Sequence, residues 1–166
     1  MSGNECSGTP FRSRPQPVDE HKRRSMARQR TRDTGPELAV RRRLHALGYR
    51  YRVDHRPLPD LRARGDIVFT RARVAVFVDG CFWHQCPQHR TSPRHNGAWW
   101  EAKLQANVAR DRATDRRLAD AGWRVVRIWE HASPDEAVAT IVAALGATAA
   151  PGPPPPAPPA GAAPRP

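Results

Sequence analysis

The chain has 166 residues, with 28 Lys and Arg against 16 Asp and Glu, a formal charge of +12 and an isoelectric point near 11.3. That length supports one domain with a real core, while three cysteines are too few for a disulfide framework. No signal-peptide pattern and no apolar run long enough to cross a membrane is visible, so a cytoplasmic protein is expected.

An excess of positive charge this large points to a polyanionic partner, most often nucleic acid. Nearly all of it is Arg, since Lys occurs only at Lys22 and Lys103. Arg suits bidentate phosphate contacts, although a GC-rich genome would also enrich Arg, Ala and Pro.

In chain order, residues 1–19 are rich in Ser, Pro, Gly and polar residues without periodicity, and read as a disordered leader. Cys6 lies there and has no evident task. Residues 20–32 form a basic block, with Ser25–Arg30 as a short helix candidate, and read as an arm that lies on DNA. Thr34-Gly35-Pro36-Glu37 is a helix start, with Thr34 as cap, Pro36 in the first turn and Glu37 closing a capping box. Leu38, Val40, Leu44 and Leu47 supply its apolar face, and Gly48 stops it. Tyr49–Val53 alternates and reads as a strand. Pro57, Pro59 and Gly65 mark a loop, Asp66–Phe69 a second strand, and Thr70–Arg73 the turn into a third.

That third strand, Val74–Val78, is a short, β-branched apolar run suited to burial on both faces. Asp79-Gly80 is expected to break it, and Cys81, Phe82, Trp83, His84, Cys86 and His89 follow. Trp99 opens a long helix ending at Gly122, Trp123–Trp129 is a fourth strand, and Ser133-Pro134-Asp135-Glu136 starts a last helix. From Gly146 onward Ala, Pro and Gly dominate, and residues 148–166 read as a disordered, polyproline-prone tail. One mixed α/β domain over about residues 20–147 follows from this order of elements.

Zinc takes four soft or borderline ligands in a tetrahedron. Cys81, Cys86 and His89 supply three, and His131, at the end of the last strand, stands where it can close the site. Four protein ligands make such a zinc structural. His84 is either a rival fourth ligand or a general acid or base. Asp66 is either a turn residue beside Gly65 or a carboxylate that holds a hard cation such as Mg²⁺ at a strand end. Glu37 is explained by capping alone. Lys103, Asn107 and Asp111 recur every fourth residue and share one helix face, which is either a solvated stripe or a functional edge. Phe82, Trp83, Trp99 and Trp100 either pack around the metal loop or, in a basic protein, wedge between base pairs, with Met26 doing the same from the arm.

The sequence resembles the very short patch repair (Vsr) DNA mismatch endonucleases over about Ser25 to Trp129. The likeness is carried by Met26 through Arg32-Asp33-Thr34, Glu37, G-D-I-V-F from Gly65, V-F-V-D-G-C-F-W-H-Q-C-P-Q-H from Val76, W-W-E-A-K-L-Q-A-N-V-A-R-D from Trp99, and G-W-R-V-V-R-I-W-E-H from Gly122. The resemblance implies a restriction-endonuclease-like fold, a central mixed sheet flanked by helices. It implies Mg²⁺-dependent nicking of one strand of duplex DNA, 5′ to the thymine of T:G mismatches left by deamination of 5-methylcytosine, hence a functional link to a cytosine-5 DNA methyltransferase. It also implies a monomer that associates with the nucleoid while acting.

Residue by residue, the family's essential metal-binding aspartate falls at Asp66, its catalytic histidine at His84, the supporting aspartate at Asp111 and the N-terminal glutamate at Glu37. A main-chain carbonyl ligand for Mg²⁺ falls at Val78, where some members carry Thr, and Asp79 stands where some have His. The intercalating residues fall at Phe82, Trp83 and Trp100 with Met26, and the Zn²⁺ ligands at Cys81, Cys86, His89 and His131. Lys103 and Asn107 become candidate DNA contacts. The alternatives are a restriction-type nuclease of other specificity, separated by cleavage of fully paired duplex, and a zinc-stabilised DNA-binding protein without catalysis, separated by a complete absence of nicks.

Overall fold

The computed structural model describes Arg24, residues 32–89, Thr91 and residues 95–147. The expected leader at 1–19, most of the basic arm at 20–32 including Met26, and the tail at 148–166 lie outside the described residues. The elements are α1 (Gly35–Ala46), β1 (Arg52–His55), β2 (Gly65–Phe69), β3 (Val74–Asp79), α2 (Gly97–Asp120), β4 (Arg124–Trp129) and α3 (Pro134–Gly146).

The strands form one mixed sheet in the order β1-β2-β3-β4. β1 to β3 run antiparallel in sequence, and β4 lies parallel to β3 with Val74 opposite Arg124 and Asp79 opposite Trp129. A parallel neighbour requires a crossover, and α2 is that crossover. The alternation of side chains splits the core in two. Ile67, Phe69, Val74, Val76, Val126 and Ile128 point to α1 and α3, where they meet Val40, Leu44, Ala137, Val138 and Ile141. Ala75 and Phe77 point the other way and join Leu61 and Leu118, with Trp123 and Val125 at the margin. The fold is thus a mixed sheet covered by helices on both faces, as the resemblance implies. Among the described residues no helix is long and apolar enough to cross a membrane.

Several boundaries differ from the sequence reading. β1 starts at Arg52, not Tyr49. Tyr49 and Tyr51 do face inward, edge-on to Phe69 with centroids 6.3 and 5.8 Å away, and the Tyr51 hydroxyl donates to the Arg41 carbonyl at 2.7 Å. Their alternation reflects packing under α1, before the backbone reaches β2. In α1, Leu47 caps the helix and stands exposed rather than joining the apolar face. Asp79 does not break β3 but ends it, its carbonyl accepting from Glu130 N–H at 2.9 Å. α2 begins at Gly97, two residues ahead of Trp99, after Asn96 in a left-handed conformation. At α3 the Ser133–Glu136 capping box forms in full.

Gly65 has a steric reason. A Cβ there would sit 2.7 Å from Val68 Cγ2 and 3.4 Å from the Val76 carbonyl oxygen, so only glycine lets β2 lie this close to β3 beside Asp66.

Candidate active site

The C-terminal ends of β3 and β4, the start of β2 and one edge of α2 converge on the loop at 80–89. Asp66, second residue of β2, turns its carboxylate onto β3, where Oδ2 accepts from Val78 N–H at 2.7 Å. This brings together the two residues expected to hold a cation. Burial raises the Asp66 pKa to about 6; the Val78 N–H lowers it, the charges of Glu37 and Asp79 raise it further, and Arg41 lowers it. A carboxylate so crowded by anions gains from a cation on its free oxygen.

Glu37 is only 4% exposed and does more than cap. Its carboxylate accepts from Asp33 N–H and Thr34 Oγ1–H at 3.0 Å, and from Arg41 at 2.9 Å. Thr34 makes no side-chain bond to the helix backbone, so the expected capping box is not the reciprocal one. Arg41, which sequence reading passed over, also reaches Asp33 at 2.5 Å and the Asp66 carbonyl at 3.3 Å. It ties α1 to the start of β2.

His84 lies in a turn after β3, its N–H bonded to the Gly80 carbonyl at 3.1 Å. Its Nδ1 is 2.6 Å from Asp111 Oδ2 and 3.7 Å from Asp79 Oδ1. An imidazole nitrogen this close to a carboxylate carries the proton, which leaves Nε2 with its lone pair. Burial alone would lower the His84 pKa, but the Asp111 hydrogen bond and the Asp79 charge overcome it and the net shift is upward. Burial pulls the Asp111 pKa up, yet the bond to His84 and the charge of Arg127 leave it below the usual range.

Arg127 is a second residue the sequence reading missed. It sits in β4 between buried Val126 and Ile128, beside Phe77 in the register. Its guanidinium donates to Asp79 at 2.8 and 2.9 Å and to Asp115 at 3.0 to 3.1 Å. The sequence signal was there: an Arg inside an apolar strand, and Asp111 and Asp115 one turn apart on the facing helix.

Cys81, Cys86, His89 and His131 meet beyond His84, with one ligand atom from each lying within 4.8 Å of all the others. Cys86 Sγ is 3.7 and 3.8 Å from Nδ1 of His89 and His131; Cys81 Sγ is 3.9 and 3.1 Å from the same atoms. Tetrahedral zinc with ordinary bond lengths separates S and N ligands by about 3.6 Å, so the four fit one ion. His84 is not among them, which removes it as a rival ligand. Glu130, also missed, accepts from Cys81 N–H at 2.6 Å and anchors the loop at its root.

Phe82, Trp83, Trp99 and Trp100 form a half-buried cluster of edge-to-face and tilted rings with centroids 5.0 to 6.0 Å apart. Lys103 Nζ lies 5.3 Å over the Trp99 ring. Asn107 donates to the Trp83 carbonyl at 3.3 Å. Asn107 and Asp111 are therefore turned toward the 80–89 loop, while Lys103 lies over Trp99 of its own helix.

An acid at a strand end and a carboxylate-held imidazole in a chain of charge +12 are the equipment of a hydrolase of nucleic-acid phosphodiesters. A family model described as "DNA mismatch endonuclease Vsr" matches residues 17–90. The "Type II nicking enzyme V.NaeI" of Lentzea aerocolonigenes is 47% identical over 130 residues, 77% of this chain and 78% of that one. The "Type II nicking enzyme V.XorIIP" of Xanthomonas oryzae pv. oryzae is 40% identical over 118 residues, 67% of this chain and 80% of its own. The "DNA mismatch endonuclease Vsr" of Escherichia coli is 37% identical over 102 residues, 60% and 63% of the two chains. The chain belongs to the Vsr family of DNA endonucleases.

Proposed function

We propose that the protein nicks one strand of duplex DNA 5′ to the thymine of a T:G mismatch, in the repair of deaminated 5-methylcytosine, with Mg²⁺ at Asp66 and structural Zn²⁺ on Cys81, Cys86, His89 and His131. The observation that carries the reading is the pairing of His84 with Asp111 on the same strand ends that present Asp66 and Val78. The relatives named for mismatch endonuclease and nicking activity support the choice of substrate.

Asp66 and the Val78 carbonyl would hold the catalytic cation. When bound, Mg²⁺ supplies Lewis-acid polarisation of the phosphodiester and stabilises charge on the leaving oxygen. The chain's own residues do the rest. Asp111 fixes the His84 tautomer so that Nε2 faces outward to take a proton from water or to pass one through it. Glu37 adds negative charge beside Asp66 and favours cation binding there. Phe82, Trp83 and Trp100, with Met26 from the arm, enter the duplex where a mismatch has already weakened stacking, so the wrong pair is recognised by its low cost of deformation. Lys103 and Asn107 flank this wedge and contact the strand. One site makes one nick, so a monomer suffices. Action beside a cytosine-5 methyltransferase, in the cytoplasm on the nucleoid, follows from the source of the lesion.

The test is a nicking assay on end-labelled duplexes carrying T:G or T:A at one position, with and without Mg²⁺. Cleavage of one strand of the T:G duplex alone is expected. Equal cleavage of the paired duplex would overturn the specificity, and cleavage without divalent cation would overturn the role of Mg²⁺.

A further inference from the structure

His84 Nδ1 faces two carboxylates, not one. Asp111 Oδ2 is at 2.6 Å and Asp79 Oδ1 at 3.7 Å, so about 1 Å separates the acceptor it uses from a competitor. Asp79 is 5% exposed, and a buried carboxylate without a cation draws any nearby N–H. Arg127 prevents this. One of its nitrogens covers both Asp79 oxygens, at 2.8 and 2.9 Å. The other side of the guanidinium grips Asp115 at 3.0 Å and approaches Asp111 Oδ1 at 3.5 Å. Its central carbon lies 4.9 Å over the Phe77 ring, which fixes the plane of the fork between the sheet and α2.

We propose that Arg127 is a positioning residue for nicking: by occupying the buried Asp79 carboxylate it assigns the His84 Nδ1–H to Asp111 and so aims Nε2. The inference rests on reading His84 as the imidazole that moves the proton. Burying a cation among three carboxylates brings little stability over an apolar side chain of similar size. Position 127 lies on the sheet face where Trp123 and Val125 pack apolar groups, so packing alone does not call for an Arg there. Without Arg127 three acidic groups face one another, and the imidazole is drawn toward Asp79.

The test compares wild type, R127M, R127K, D79N and D79N/R127M by crystal structures, which read whether His84 Nδ1 bonds Asp111 or position 79, and by nicking kinetics. Wild type and D79N are expected to keep the bond to Asp111. R127M is expected to turn the ring to Asp79 and to cut with kcat about 100-fold lower at little-changed KM, the size of effect a 1 Å misplacement produces. D79N/R127M, with neither the cation nor its competitor, is expected to regain the Asp111 bond and at least about 10-fold in kcat; R127K is expected to keep the Asp111 bond with a smaller loss.

A His84 still bonded to Asp111 in R127M, or failure of D79N to restore that bond in a double variant that melts like wild type, would overturn the proposal. If R127M does not fold, the double variant and R127K carry the same decision. A wild type that leaves T:G duplex uncut would overturn the functional reading, while the crystal structures still decide the role of Arg127.

Discussion

Asp66 Oδ2 accepts the Val78 N–H at 2.7 Å, and that bond replaces part of the solvation the carboxylate loses on folding. It does not replace all of it, because the Asp66 pKa still lies near 6, above the ordinary 3.8. The folded protein therefore binds a proton there between these two values while the unfolded chain does not. Stability falls as pH rises through that window.

Asp66→Asn removes the charge and keeps an acceptor for Val78. In Mg²⁺-free buffer at neutral pH the variant is expected to be more stable than wild type by on the order of 1–3 kcal/mol. The gain disappears below pH 3.8, where wild type is protonated in both states. Added Mg²⁺ narrows it, since the cation stabilises only the chain that binds it. Calorimetry across pH reads the stability, and the nicking assay should find no activity at any pH.

Cys86→Ser removes one of four ligands whose atoms lie within 4.8 Å of one another. Wild type is expected to carry one zinc per chain by elemental analysis, and the variant none. Structural zinc contributes several kcal/mol to small domains, so a strong chelator should lower the melting temperature of wild type and leave C86S unmoved.

Asp111→Ala removes the carboxylate that His84 Nδ1–H bonds at 2.6 Å. The Asp111 hydrogen bond helps hold the His84 pKa up against burial, so its pKa is expected to fall in the variant. The stability this raised pKa confers is present at low pH and is lost as pH rises past the folded value; D111A should lack that slope. Its kcat is expected to drop by about 100- to 10,000-fold, the usual range for a disabled general acid or base.

Trp83→Ala breaks ring contacts to Phe82 at 5.1 Å and Trp100 at 6.0 Å. Binding to T:G duplex is expected to weaken by about 1–3 kcal/mol, the range for loss of one stacked aromatic, with paired duplex much less affected. Anisotropy titrations at several salt concentrations check both. The salt slope should be unchanged, because no phosphate contact is lost.

Elements with a strong local signal were legible in the sequence. The unbroken run of β3, the capping box of α3 and the spacing of Cys81, Cys86 and His89 each rest on neighbours in the chain. Where tertiary contacts decide, the reading slipped. Tyr49 and Tyr51 alternate because Phe69 lies beneath them, and Glu37 looked like a cap because Asp66, to which Arg41 one turn on links it, comes from another part of the fold. Arg127, Asp115 and Glu130 acquire their partners only when β4 is laid beside β3; the Arg inside an apolar strand is a local hint that does not name them. The roles of Asp66, His84 and Asp111 were suggested by family likeness; their spacing alone left them open.

The crossover helix measures distance as well as joining strands. Trp100, Asn107, Asp111 and Asp115 meet four different partners along one side of it. Inserting or deleting one amino acid between Trp100 and Asp115 would turn everything on one side of the change by about 100°. The tryptophan wedge and the proton-handling pair would then point in different directions. An indel scan of the helix is therefore expected to find no tolerated position between Trp100 and Leu118, whose side chain is fully buried, and tolerated changes of length to lie in loops and termini.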